Sequence, residues 1–205
     1  MESLLTTQKP VAICGDGACG KTSMIKDFVF NQIFLFTQGT YSDHITCSHY
    51  TNSDVLKSNF ERNLVPIMVK LPEPLQPEVK DPKTATTSSL KPKQEETKIM
   101  KTPGEQTRLI VYLEDLHMTW IDQTGDQPAL ETIRDFLVCK EWYSPNKKAI
   151  RKIQGANIVA CFDALTERKE HISMRTLSKF FVVGLNQYDI DTSRGIFTQL
   201  FEIAA

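Results

Sequence analysis

The run Gly15-Asp16-Gly17-Ala18-Cys19-Gly20-Lys21-Thr22 constrains this chain more than any other stretch. It fits the spacing of a phosphate-binding loop: glycine, four residues, then Gly-Lys-Ser/Thr. The flanks agree with it. Val11-Ala12-Ile13-Cys14 is a short apolar run of the kind a buried strand shows, and Met24, Ile25, Phe28 and Val29 recur as one face of a helix. A strand, a glycine loop and a helix in that order aim backbone N–H groups and the positive helix end at one point. A nucleotide's phosphates require that arrangement, so Gly15 to Thr22 are expected to cradle them. Lys21 is expected to reach the β- and γ-phosphates, and the Thr22 hydroxyl to meet Mg²⁺. The plainer alternative is a glycine-rich turn with an exposed lysine; Gly17, beside Gly15 and Gly20, argues against it.

Such a loop needs an acidic partner at the end of a neighbouring buried strand. Leu109-Ile110-Val111-Tyr112-Leu113 is continuously apolar, the profile of a strand covered on both faces, and Glu114-Asp115 follows directly. Two adjacent carboxylates closing such a run are costly unless the strand ends at a polar site. The pair therefore reads as a Walker B element, with Glu114 on the metal side and Asp115 placed to orient an attacking water. A strand that simply ends in a solvated acidic turn is the alternative.

The rest of the chain supplies the remainder of an α/β domain. Further strands are expected at His44–Tyr50, Ile158–Phe162 and Phe181–Leu185. Helices are expected from about Lys21 to Gln32, from the Thr51–Asp54 cap region through Leu64, along Leu130, Ile133, Phe136 and Leu137, around Ser173–Lys179, and along Ile196, Phe197, Leu200 and Phe201. Strands alternating with helices predict a three-layer fold around a mostly parallel five-stranded sheet. Residues 66–107 differ in kind: seven of the ten prolines lie there, with few large apolar side chains. Such a segment buries too little to offset its ordering entropy, so a disordered insertion is expected. It reads as a tolerated loop or, given the Thr84–Ser89 cluster, a regulated docking segment. The expected division is then 1–65 as the loop half, 66–107 as the insertion and 108–205 as the Walker B half.

Composition excludes several classes. A net charge of −1 over 205 residues gives no support for nucleic-acid or membrane-surface binding. No apolar run approaches the ~18 residues of a membrane span. Five scattered cysteines without a paired motif, and no secretory signal, read as reduced and intracellular. His44, His49, His117 and His171 lack ligand spacing. Trp142 and Tyr143 read as packing anchors in a loop, and Cys19 as a small loop residue before it is a redox-sensitive thiol.

The segment from Leu109 to Met118 resembles the Walker B segment of the third AAA+ module in dynein heavy chain motors. That family reads as an apolar strand, two acids, then Leu/Ile-Asn-Met/Leu-Pro. The run Gly125-Asp126-Gln127-Pro128 is similar to the family's Gly-Ala-Gln-Pro-Pro helix start, and Glu141-Trp142-Tyr143 to its Gly-Gly-Trp-Tyr turn. Ile158–Cys161 sits where the sensor I strand should be, Ser173-Met174-Arg175 where the family has Thr-Pro-Arg, and Asn186–Leu200 at its closing segment. The resemblance implies an AAA+ large subdomain of P-loop NTPase fold with ATP or ADP and Mg²⁺ as ligands. It implies partners among neighbouring AAA+ modules or dynein subunits, a cytoplasmic, cytoskeletal or axonemal place, and Arg175 as an arginine finger acting on a neighbouring module. An ordinary solvated helix residue is the equal alternative for Arg175.

The departures bear on turnover. Glu114 stands where the family has Asp, one methylene shorter. Phe162 falls at the sensor position and cannot hydrogen-bond a phosphate, and Asp163 to His171 replace a glycine- and proline-rich stretch. The chain stops at Ala205, before any helical lid is expected. Nucleotide binding with weak or absent hydrolysis is the leading expectation. A competent ATPase completed by a neighbour's arginine and a scaffold that binds no nucleotide remain open beside it, and a small kinase fits less well because no acceptor site is evident.

Overall fold

The computed structural model describes residues 9–32, 40–68, 98–102, 108–144, 150–163 and 172–204. In chain order its elements begin with β1 (Val11–Gly15), α1 (Lys21–Lys26) running into a π-helical turn (Asp27–Gln32), β2 (Thr40–Thr46) and α2 (Ser53–Glu61). Next come β3 (Val65–Met68), β4 (Lys98–Lys101), β5 (Arg108–Glu114), a 3₁₀ turn (Leu116–Met118) and α3 (Pro128–Cys139). The chain closes with β6 (Glu141–Tyr143), β7 (Ile150–Gln154), β8 (Ala156–Asp163), α4 (Met174–Leu177), β9 (Phe181–Leu185) and α5 (Ile190–Ala204).

The main sheet has five strands in the order β2-β5-β8-β1-β9, and every neighbouring pair is parallel. This is the α/β architecture with a central parallel sheet that the sequence predicts. Parallel ladders need cover on both faces, and strand alternation supplies it along the central strand β5. Along β5, Leu109, Val111 and Leu113 join one apolar cluster with Leu56, Phe60, Ile133 and Phe136 of α2 and α3. Ile110 and Tyr112 point the other way, into a second cluster with Ile25 and Val29 from α1 and the turn after it. Three layers follow directly. Asn52 caps α2, its side-chain oxygen accepting from the N–H groups of Asp54 and Val55 at 3.1 and 2.9 Å. Pro128 opens α3, and Lys140 closes it in the left-handed region at φ 57°.

A second sheet, not predicted from the sequence, has the order β3-β4-β7-β6. It corrects two expectations. Within the 66–107 segment, expected as a disordered insertion, residues 66–68 and 98–101 lie in the antiparallel strands β3 and β4. Residues 69–97 and 103–107 lie outside the described residues. Pro66 is tolerated because β3 is an edge strand, and Met100 is buried. The Glu141–Tyr143 stretch, expected as a loop, is β6, antiparallel to β7. Each of these strands is too short to show a period on its own.

The second sheet is tied to α2 by side chains. The Trp142 indole N–H donates to Glu61 at 2.7 Å, and the Arg151 guanidinium donates to the same carboxylate. Trp142 also packs against Phe60 and Phe136, with ring centroids 5.1 and 5.5 Å away. Its reading as a packing anchor holds.

One strand differs in its bounds from expectation. The second strand spans Thr40–Thr46, not His44–Tyr50. As an edge strand of the main sheet it carries polar residues such as Ser42 and Asp43 that hide it, and the turn at 49–50 ends it. In α2, Leu56 and Phe60 are buried but Val55 faces out. The apolar residues of α5, Ile196, Phe197, Leu200 and Phe201, are exposed among the described residues.

Candidate nucleotide site

Parallel strands bring all their carboxyl ends to one edge of the sheet, where open α/β folds bind ligands. Here β1 ends at Gly15, in register with Asp163 of β8 and Leu185 of β9, while Thr46 and Glu114 end β2 and β5 in register with each other. The Gly15–Thr22 loop leaves β1 at this edge and enters α1. Gly20 precedes the helix at φ +80° and Ala18 sits at φ 62°, both in the left-handed region. A Cβ on Gly15 would lie 2.9 Å from the Leu185 carbonyl oxygen and 2.8 Å from Cys19 Sγ, so only glycine fits between the loop and β9. A Cβ on Gly20 would meet the Tyr188 hydroxyl at 2.7 Å.

The loop borders an open cavity of about 520 Å³. Gly17, Ala18, Cys19, Gly20, Lys21, Thr22 and Ser23 line one side, and Asp115, His117, Met118 and Asp163 the other. Lys21 is buried, and its ammonium donates to the Gly15 and Asp16 carbonyls at 2.7 and 2.6 Å. The Thr22 hydroxyl is bonded to both Glu114 and Tyr112. Glu114 is also held by His44 Nε2 at 2.6 Å, by the Thr46 hydroxyl at 3.4 Å and by Lys26 at 3.8 Å. Burial opposes ionisation of Glu114. The Thr22 and His44 hydrogen bonds and the Lys26 charge outweigh that penalty and hold its carboxyl below the usual value.

The sequence-derived site residues therefore converge, with one exception. Gly15, Asp16, Gly17, Ala18, Cys19, Gly20, Lys21, Thr22, Glu114 and Asp115 lie in or beside one opening. Arg175 is exposed on α4 and does not line it. The acids differ from each other. Glu114 is the last residue of β5 and faces Thr22, whereas Asp115 turns away at φ 52° and borders the cavity. Phe162, expected at the sensor position, packs into the apolar cluster under α2 and α3. The side chain that reaches the cavity is Asp163, one residue further on.

Four polar side chains of the site carry no motif. The His117 ring is buried, lines the cavity and accepts the Asp163 backbone N–H on Nδ1 at 3.3 Å. The Tyr112 hydroxyl, inside the second cluster, bonds Cys161 Sγ at 3.1 Å. Burial, aided by that contact, pushes the Tyr112 phenol far above its ordinary range. His44 stacks on the Tyr112 ring at 5.0 Å with planes 10° apart. The one signal in the sequence for Asp163 is an acid closing an apolar strand, the same signal that marks Glu114.

Oxygen donors suit Mg²⁺, which keeps several waters and takes one or two protein ligands beside the phosphates. The Thr22 hydroxyl and Glu114 carboxylate, already bonded to each other, are a donor set of that kind. Among the described residues no group of three or more His, Cys, Asp or Glu is placed to hold a metal ion. No helix among the described residues is long and apolar enough to cross a membrane.

A glycine loop between β1 and α1, facing an acid-tipped neighbouring strand across a parallel sheet, defines a P-loop α/β domain. A family model described as the P-loop containing dynein motor region matches residues 83–188, just over half of the chain, and the chain belongs to that family. The chain is also similar to dynein axonemal heavy chain 11 of Sus scrofa, at 20% identity over 200 residues covering 98% of this chain and 4% of that protein. It is 24% identical to dynein heavy chain-like protein 2 of Plasmodium falciparum over 100 residues, 49% of this chain and 2% of that protein. Human dynein axonemal heavy chain 12 is 20% identical over 98 residues, 48% of this chain and 3% of its own length. The chain thus spans only a few per cent of the curated relatives it matches.

Proposed function

We propose that this chain is a nucleotide grip: it binds ATP or ADP with Mg²⁺ at the Gly15–Thr22 loop and hydrolyses ATP weakly or not at all. The observation that carries this reading is the bond between Thr22 and Glu114, which joins the loop to the acid-tipped strand β5. Lys21 is the phosphate cation in this reading. Thr22 and Glu114 hold the metal, whose bound charge would neutralise phosphate oxygens, and the loop N–H groups take the remaining oxygens.

Asp115 would orient water for any residual turnover. Slow chemistry is favoured by what stands opposite. Phe162 offers no hydrogen bond, and Asp163 adds a carboxylate beside the place where transition-state charge must be stabilised. Arg175, exposed and off the cavity, suits a role in trans on a neighbouring module. The finer family reading is the third AAA+ module of a dynein-like motor ring, working on the cytoskeleton or in a cilium as part of a larger assembly.

The test is nucleotide affinity of the full chain against Lys21→Ala, with and without Mg²⁺, followed by single-turnover hydrolysis. Mg²⁺-dependent binding lost in Lys21→Ala, with turnover near background, supports the reading. A robust rate abolished by Asp115→Asn overturns its second half in favour of a competent ATPase. Absence of binding, unchanged by Lys21→Ala, overturns it altogether.

A further inference from the structure

The metal-side acid has a support from outside the loop. His44 lies on β2, paired in register with Tyr112 of the neighbouring β5. Its ring stacks on the Tyr112 ring, and its Nε2 lies 2.6 Å from Glu114 Oε2. An ionised carboxylate only accepts, so Nε2 carries the hydrogen and donates it. Tyr112 is fully buried and bonded at its hydroxyl to Cys161 and Thr22. The imidazole is therefore backed by a ring that cannot move aside.

The other two contacts on the same oxygen are weaker. Thr46 is at 3.4 Å, near the limit of a hydrogen bond. Lys26 is at 3.8 Å with a half-exposed side chain, the kind of ion pair that solvent screens. A glutamate has one more rotatable bond than an aspartate, so a glutamate at a metal site has more orientations to lose. Fixing one oxygen on His44 leaves the carboxylate a single direction in which to meet Thr22.

We propose that His44 is a positioning residue for Mg²⁺: by holding Glu114, and through it Thr22, it sets the metal affinity of the nucleotide site without touching nucleotide or metal. This rests on the proposed nucleotide-binding function. Partners that orient metal ligands in this way typically change metal affinity about 10- to 100-fold when removed. The bare nucleotide, held by Lys21 and the loop N–H groups, should not sense the change.

The experiment titrates Mg²⁺ against a fluorescent ADP analogue bound to the full chain. It compares the wild type with His44→Phe, His44→Gln and Glu114→Gln. His44→Phe keeps the stack on Tyr112 and so protects the fold while removing the N–H donor. His44→Gln keeps a donor. The expected result is a half-saturating Mg²⁺ concentration raised about tenfold or more in His44→Phe, largely restored in His44→Gln, with Mg²⁺-free affinity unchanged in both. The inference is overturned if His44→Phe keeps the wild-type Mg²⁺ requirement while Glu114→Gln raises it, a result that leaves the proposed function standing. It is equally overturned if His44→Phe weakens Mg²⁺-free binding by the same factor, which marks a general structural role. A wild type that binds no nucleotide, or a Glu114→Gln variant with an unchanged Mg²⁺ requirement, overturns the proposed metal site and this inference with it.

Discussion

Lys21 turns its ammonium back onto the loop that carries it, donating to the Gly15 carbonyl at 2.7 Å. A second bond, to the Asp16 carbonyl at 2.6 Å, completes the fold-back. Both acceptors are neutral, so these two bonds set dipoles and not a full counter-charge against the cation. A phosphate oxygen brought to the same place offers a full negative charge, so a bond from the ammonium to a neutral carbonyl would be replaced by an ion pair. The lysine is thus stored at the mouth of the loop in a state that an anion can improve on.

Replacing that lysine tests the loop directly. A hydrogen bond to a charged group contributes about 1.5–3 kcal/mol, so Lys21→Ala should weaken ADP binding about 10- to 100-fold. Isothermal titration calorimetry reads the change. Stability should fall by about 1–3 kcal/mol at most, because two partly buried carbonyls lose a donor but keep their backbone geometry. An unaltered ADP affinity would remove Lys21 from the phosphate site.

The loop glycines should differ sharply in tolerance. A Cβ at Gly17 meets nothing within 4 Å, so Gly17→Ala should stay within about 0.5 kcal/mol of wild type. At Gly15 the Cβ meets the Leu185 carbonyl at 2.9 Å, in a strand that cannot yield without breaking its pairing with β1. Gly15→Ala should cost about 1–3 kcal/mol. Gly20→Ala falls between: its φ of +80° costs about 1–2 kcal/mol, but the Tyr188 hydroxyl it meets ends a half-exposed side chain that can swing away. Urea midpoints should be highest for Gly17→Ala, lower for Gly20→Ala and lowest for Gly15→Ala. Equal midpoints for Gly15→Ala and Gly17→Ala would contradict the packing of the loop on β9.

The parts of this molecule legible from sequence are those where one stretch carries its own signal. The 15–22 spacing, the five-residue apolar run of β5 and the acids behind it are local patterns, and each lies where the pattern predicts. The second sheet was invisible because β3, β4, β6 and β7 are strands of three to five residues. The β3–β4 and β4–β7 pairs join stretches far apart in sequence, and the segment that separates β3 from β4 is rich in proline. His44 and Tyr112 were invisible for another reason. A histidine on an edge strand and a tyrosine in an apolar run look ordinary until the parallel register sets them side by side. Phe162 shows the limit of alignment by motif: strand alternation sends it into the core and brings Asp163 to the cavity.

The Trp142 contacts predict how the two sheets depend on each other. Trp142→Ala removes a buried indole from between Phe60 and Phe136 and leaves Glu61 with Arg151 alone, so a loss of about 3–5 kcal/mol is expected. Trp142→Phe keeps most of the packing and loses only the N–H donor, at about 1 kcal/mol. Chemical denaturation followed by circular dichroism separates the two. A Trp142→Ala protein as stable as wild type would mean that the second sheet contributes nothing to the main core.

Thiol reactivity should differ sharply between Cys139 and the buried pair Cys47 and Cys161. Cys139 is exposed at the end of α3, while Cys47 and Cys161 are buried. Burial pushes the Cys47 thiol up to about 12 and raises that of Cys161 as well, with the nearby Asp115 and Glu114 carboxylates adding to the effect at Cys47. At neutral pH a thiol reagent should modify Cys139 rapidly and Cys47 and Cys161 only after unfolding. Peptide mapping of the labelled protein reads the outcome, and fast labelling of Cys47 in the native state would contradict its burial.

Acid should weaken the fold through Glu114. Burial works against its ionised form, yet Thr22, His44 and Lys26 hold its folded-state acidity below the ordinary value of 4.5. A carboxyl depressed in this way stabilises the folded state above its unfolded value, where the charge is present in both states, and loses that contribution as pH falls through the folded value. Glu114→Gln has no proton to gain. The stability difference between wild type and Glu114→Gln should therefore be larger near pH 6 than near pH 3, narrowing below about 4.5. Thermal melts across that range read it. Parallel curves at every pH would mean that the hydrogen bonds to Glu114 do not favour its charge, and the link between β5 and the loop would then be one of packing alone.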